Sequence, residues 1–288
     1  VVPAISSVVR KLTTPAEKVV VQTPCYNIFF NSIYNNGRNI YPSPLKYDGL
    51  NYSIDFADLE EKLADPQTTL MILCNPQNPV GKIWDRETLA KIGELAAKHH
   101  VTVLSDEIHC DMALWGNKHV PFATASEKAA QCSITFGAPS KTFNIAGIVS
   151  SYSIVPNPEI RKKFYSWLAA NELNEAPMFS PIATIAAFEQ GEQWRRAMLA
   201  YVEDNIRYVE DYFCEHLPMI RPFRPEASFL VWLDCRKLGL NHDQLIDLFV
   251  NKARLALNDG EMFGKGGEGF MRMNVATPRA ILTQALSQ

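Results

Sequence analysis

No apolar stretch in this 288-residue chain approaches the ~20 residues a membrane-crossing helix needs. Charge of one sign is also scarce: the formal net charge is only −3. That leaves no electrostatic reason to expect nucleic acid or an anionic membrane as a partner. The six cysteines, Cys25, Cys74, Cys110, Cys132, Cys214 and Cys235, form no C-x-x-C pair. Their scatter argues against a disulfide framework or a zinc knuckle and fits a reducing cytosol. There is no initial methionine and no signal-peptide pattern; the chain opens at Val1-Val2-Pro3, as if cut from a longer protein.

With 47% apolar and 20% charged residues, the composition is that of an ordinary soluble globular protein. The length allows one large α/β domain and a smaller one. Buried strands are expected at Lys18 to Gln22, Thr69 to Cys74, Val101 to Leu104, Ser133 to Phe136 and Ile148 to Ile154. Helices expected between them start at Asp55 and Asp85, which can cap their first turns. This alternation predicts βαβ units and a mainly parallel sheet. Beyond it, apolar residues from Trp194 to Phe213 recur at helical spacing. Strand candidates follow at Ser228 to Leu233 and Phe270 to Val275, with a helix near Gln244 to Val250. These divide the chain into a large domain over 1–175 and a smaller α+β domain over 176–288.

Four local signals could carry chemistry. Asn75-Pro76-Gln77-Asn78-Pro79-Val80-Gly81 follows a buried strand directly, and its prolines and glycine impose a sharply shaped turn. Ligands of open α/β sheets bind outside the carboxyl ends of strands, where this turn falls. Alone it could equally be a plain strand-to-helix connection. Asp106 ends an apolar strand, so its carboxylate is desolvated unless a cation pairs with it. A protonated pyridine nitrogen is such a cation; the bland alternative is a helix cap.

Lys141 lies in Ala138-Pro139-Ser140-Lys141-Thr142-Phe143-Asn144, between apolar segments. Burial favours the neutral, nucleophilic form of a lysine amine, although most lysines are simply solvated. Arg272 alternates with apolar residues in Phe270-Met271-Arg272-Met273-Asn274, which suggests one planar fork aimed at a carboxylate. Asp106-Glu107-Ile108-His109-Cys110-Asp111 holds metal-friendly side chains, but its spacing matches no standard zinc pattern, so no metal site is expected.

In this order the four signals resemble the fold-type-I pyridoxal-phosphate enzymes of the class I/II aminotransferase superfamily, over almost the whole chain. The resemblance implies that Lys141 is the Schiff-base lysine and proton shuttle, and Asp106 the partner of the pyridinium. It implies that Asn78 bonds the cofactor's phenolic oxygen near the substrate carboxylate, and that Arg272 clamps that carboxylate. Tyr26, in Thr23-Pro24-Cys25-Tyr26, resembles the aromatic residue stacked on the ring. Ser140 is a candidate phosphate contact. Val1 and Val2 look like the tail of a phosphate loop opening a helix, whose N-terminus attracts anions. His109 stands where many aminotransferases have tyrosine, and Val149 near where many have a cation for the phosphate. Both departures resemble the bacterial C–S β-lyase branch, the cystathionine β-lyase type.

The resemblance therefore implies β-elimination from an S-substituted cysteine, in a cytoplasmic homodimer. It also implies that an upstream segment and a last helix are missing here. Two rival functions use the same residues: amino transfer, and a cofactor-binding regulatory domain, which would need a DNA-binding module upstream.

Overall fold

A computed structural model describes all residues, 1–288. Twelve strands occur in chain order. The first four are β1 Lys18–Thr23, β2 Asn39–Pro44, β3 Lys46–Tyr47 and β4 Tyr52–Ser53. The next four are β5 Thr68–Cys74, β6 Thr102–Asp106, β7 Ser133–Gly137 and β8 Tyr152–Ile154. The last four are β9 Arg221–Phe223, β10 Leu230–Asp234, β11 Asn258–Asp259 and β12 Phe270–Asn274.

The main sheet has the order β2-β1-β5-β6-β7-β8. It is parallel except where β8 runs against β7. Strands β1, β5, β6 and β7 are buried almost end to end, as expected where helices cover both faces. Val20, Met71, Leu73 and Val103 face one core with the helices Phe56–Leu63 and Arg86–Lys98. Val19, Val21, Leu70, Ile72 and Leu104 face the other, against Val2–Leu12, Ile28–Tyr34 and Pro158–Ala170. Asp55 and Asp85 cap their helices as expected: Asp55 accepts from the amides of Ala57 and Asp58, and Asp85 from that of Thr88.

A second sheet, β11-β12-β10-β9, packs on the 25-residue helix Glu192–His216 through a third core that includes Val209, Val231 and Met273. The two sheets meet at the turn after β5. There the amides of Glu226 and Ala227 both donate to the Gly81 carbonyl at 2.9 and 3.0 Å. Gly81 has φ +72°, and a Cβ on it would lie 2.4 Å from the Pro225 Cβ, so this close approach requires glycine.

Two expectations change. The strand anticipated over Ile148 to Ile154 is confined to Tyr152–Ile154, because Ala146–Ile148 forms a helical turn and Val149 takes a left-handed backbone. The strand β2 went unanticipated. Its two prolines cannot donate to a ladder, and the sheet edge is where such a strand is tolerated. No helix is long and apolar enough to cross a membrane.

Candidate active site

The strand order reverses at β1: the chain steps outward to β2, then returns to add β5 on the other side. The carboxyl ends of β1 and β5 therefore diverge and open a crevice between them. Tyr26 lies just past the end of β1, and Asn78 in the turn after β5. Asp106 is the last residue of β6, in register with Cys74 on one side and Phe136 on the other. Lys141 and Ser140 lie on the short helix Pro139–Thr142 that follows β7. Four adjacent parallel strands thus deliver their following residues to one edge.

Asp106 is 4% exposed. Its carboxylate accepts only a long contact, 3.4 Å, from the Ile108 amide. Desolvation pushes its pKa up to about 6, opposed by that amide and by Lys141. Such a group gains from a cation brought to it, and a protonated pyridine nitrogen fits. The helix Val2–Leu12 begins close by, with no side-chain cap, and Val2 itself is exposed. Pro3 has no amide hydrogen, and the free amides of Val2 and Ala4 suit an anion such as a phosphate.

His109 is also buried, and its Nδ1 has no partner. Desolvation lowers its pKa to about 3, helped by the positive charges of Lys141 and Arg272. It is neutral at physiological pH and packs edge-on to Phe229. Lys141 is half-buried rather than fully enclosed, and it lines a cavity of about 560 Å³ with Ser140, Asn144, Met198 and Phe229. Ser140 is half-buried as well.

Arg272 enters from the second sheet. Its Nη1 donates to Asn78 Oδ1 at 2.8 Å and its Nη2 to Asn258 Oδ1 at 2.7 Å. The guanidinium lies 4.6 Å over the Phe263 ring, while Nε is buried without a partner. Desolvation lowers its pKa to about 10, so it stays charged. Tyr26 is half-buried, edge-on to Phe29 at 5.9 Å. Its hydroxyl is held protonated by burial, and it feels the charges of both Arg272 and Asp106. Asp106, Lys141, His109, Arg272 and Tyr26 therefore share one electrostatic neighbourhood. Asn78 joins it through its bond to Arg272.

Sequence reasoning missed three supports. Asn258 and Phe263 hold the Arg272 fork; neither stands in a recognisable motif. Glu107, read only as a weak metal candidate, is 3% exposed and pinned on the opposite sheet face from Asp106. It accepts from Ser105 Oγ at 2.8 Å and the Phe122 amide at 2.8 Å, and pairs with His119 Nε2 at 2.7 Å. These contacts fix the turn that carries Asp106 and His109. The i to i+2 spacing of Ser105 and Glu107 on a strand was the available signal.

The profile of the aminotransferase class I and II family matches residues 3–288. The chain belongs to this family. It is 44% identical over 286 residues to cystathionine beta-lyase PatB of Bacillus subtilis, spanning 99% of this chain and 74% of that protein. It is 32% identical to protein MalY of Escherichia coli, over all of this chain and 73% of that one. The crystal structure of cystalysin from Treponema denticola, which contains a pyridoxal 5'-phosphate cofactor, superposes with a TM-score of 0.96 at 34% identity. It covers 99% of this chain and 73% of that one. A pyridoxal-phosphate-bound C–S lyase from Staphylococcus hominis follows at TM-score 0.90 and 32% identity, covering the same shares of the two chains.

Proposed function

We propose that this protein is a pyridoxal-phosphate-dependent C–S β-lyase, which cleaves S-substituted cysteines such as cystathionine to a thiol, pyruvate and ammonia. The single observation carrying this reading is a buried, under-satisfied carboxylate, Asp106, in one neighbourhood with a lysine and a spare-donor arginine. The likeness to PatB and to two pyridoxal-phosphate-bound lyase structures supports it.

When bound, pyridoxal phosphate supplies a covalent anchor for an amino group and a sink for the charge released at Cα. Lys141 is assigned as its covalent attachment. Asp106 would hold a proton on the cofactor's ring nitrogen. Val1 and Val2, at the uncapped helix start, and Ser140 are assigned to the phosphate. Tyr26 would cover the ring. Asn78 spends its carbonyl oxygen on Arg272, so its NH₂ remains to donate to the phenolic oxygen. The neutral His109 packs beside the group without adding charge.

Arg272 binds the α-carboxylate and so fixes which Cα bond stands free to break. The Lys141 amine takes the Cα proton as general base. The thiolate leaves from Cβ, and one water completes the balance to pyruvate and ammonia.

The large domain is assigned to 1–175 and the smaller to 176–288. A homodimer in the cytoplasm completes the reading. Exposed apolar side chains, among them Val149, Ile154, Met178, Phe179 and Ile182, support the dimer, and six free cysteines support a reducing compartment.

The test is cystathionine supplied without any keto acid. A lyase releases pyruvate over many turnovers, whereas an aminotransferase stalls after one. Lys141→Ala serves as control and is expected to lose both the cofactor's near-visible absorbance and turnover. Stalling of the unaltered protein after one turnover would sink the lyase reading.

A further inference from the structure

Arg272 is held in an unusual manner for a buried cation. Both of its bonded partners are neutral amide oxygens, and they come from distant parts of the chain: Asn78 from the turn after β5, and Asn258 from β11. Asn258 is the direct cross-strand partner of Arg272 in the β11–β12 pair. One bond to Asn78 alone would leave the guanidinium free to rotate about its stem. A second bond at the other Nη, with the Phe263 ring beneath, fixes its plane. A guanidinium has five N–H donors. Two are taken here, which leaves the other Nη hydrogens for an incoming group, while the buried Nε has no partner.

The choice of amide matters. An amide oxygen orients the fork without cancelling its charge, whereas a carboxylate at the same place would form the bidentate pair that the fork is shaped for. The undiminished charge is then left for an anion that arrives with the substrate.

We propose that Asn258 is a positioning residue for the substrate's α-carboxylate, holding the Arg272 fork in plane while leaving its charge unpaired. This rests on the reading of Arg272 as the carboxylate clamp. Asn258 acts through Arg272 and not by touching the substrate.

The pyridoxal-phosphate-loaded protein separates the possibilities by equilibrium binding, read from the cofactor's absorbance. The ligand pair is 2-aminoisobutyrate, which has a carboxylate but no Cα hydrogen to lose, and isopropylamine, the same skeleton without the carboxylate. Asn258→Ala is expected to raise the Kd of aminoisobutyrate about tenfold, the scale of one hydrogen bond to a charged group. The Kd of isopropylamine should stay within about twofold of wild type, since no bond to a carboxylate is at stake. Asn258→Asp, which is isosteric, should weaken aminoisobutyrate further, because its carboxylate competes for the fork.

Asn258 is exposed, so these variants are expected to keep the melting midpoint of the wild type. Equal weakening of both ligands, no weakening of either, or wild-type binding by Asn258→Asp would each overturn the role of Asn258. Arg272→Gln supplies the distinguishing arm. It should abolish the preference for the carboxylate; if the preference survives, the clamp reading falls, and this inference with it.

Discussion

Asp106 ends β6 of the main sheet, and Arg272 lies in the middle of β12 of the second sheet. Both charges are largely withdrawn from water, yet their surroundings differ. The Asp106 carboxylate accepts one 3.4 Å contact, while Arg272 donates two bonds below 3 Å and rests on an aromatic ring. Burial destabilises an ion unless partners replace the lost water. Arg272 is therefore prepared within the chain, with orientation supplied and donors to spare. Asp106 is left in need, a carboxylate that a bound cation would stabilise. One end of the site is organised to position, and the other to attract.

The largest expected effect breaks the needy end. With a folded pKa of about 6 against an ordinary value of 3.8, Asp106 binds a proton more tightly in the folded chain than in the unfolded one. Its contribution to stability is thus present below about pH 4 and is lost as pH rises through about 6. The loss is on the order of 3 kcal/mol, at about 1.4 kcal/mol per pH unit over that interval. Asp106→Asn removes the ionisation. The cofactor-free variant should be more stable than wild type at pH 8 by up to ~3 kcal/mol, and little different at pH 4, in urea titrations. The same substitution should cut C–S cleavage roughly 10²–10⁴-fold, as for other displaced proton-holding groups. A variant that is less stable than wild type at pH 8 would mean that Asp106 is satisfied by the chain after all.

The order of the site was legible because each motif follows a strand whose burial is written in consecutive apolar residues. Thr68–Cys74 and Thr102–Asp106 could hardly be anything but central strands, and a parallel sheet brings their carboxyl ends together. What decides the geometry at Arg272 was not legible. Asn258 sits in a two-residue strand with no periodicity, and its meaning comes only from lying opposite Arg272. His119 likewise becomes relevant only when the chain from Asn117 to Phe122 folds back under Glu107. Pairing across long sequence separation leaves no local trace in composition or spacing.

An intermediate effect is expected at the joint between the two ends. Gly81 carries the turn of Asn78, and its carbonyl receives the amides of Glu226 and Ala227 from the connection between β9 and β10. Gly81→Ala must hold alanine at φ +72° and push Pro225 away. The cost should be about 2–3 kcal/mol of stability, from backbone strain and overpacking together. If the two ends act as one site, the variant should also weaken aminoisobutyrate binding, because Asn78 and the second sheet would shift relative to each other. Lost stability with wild-type ligand binding would show that Arg272 is positioned by its own sheet alone.

The smallest effect concerns His109, which feels Lys141 from one end and Arg272 from the other. Its folded pKa of about 3 lies well below the ordinary value of 6.5, so the folded chain resists its protonation. Stability tied to this group is complete above about pH 6.5 and is lost as pH falls from there towards 3. In His109→Gln that loss is absent. Relative to wild type the variant should gain about 2 kcal/mol between pH 7 and pH 5, as measured by melts of the cofactor-free protein at the two values. Between pH 7 and 8 the side chain is neutral in the folded chain, so the shape of the activity profile over that range should be the same in variant and wild type. A profile whose inflection between pH 7 and 8 disappears on His109→Gln would show that this histidine titrates in the working enzyme. It would also show that the positive field from Lys141 and Arg272 is offset there by a negative charge close to His109.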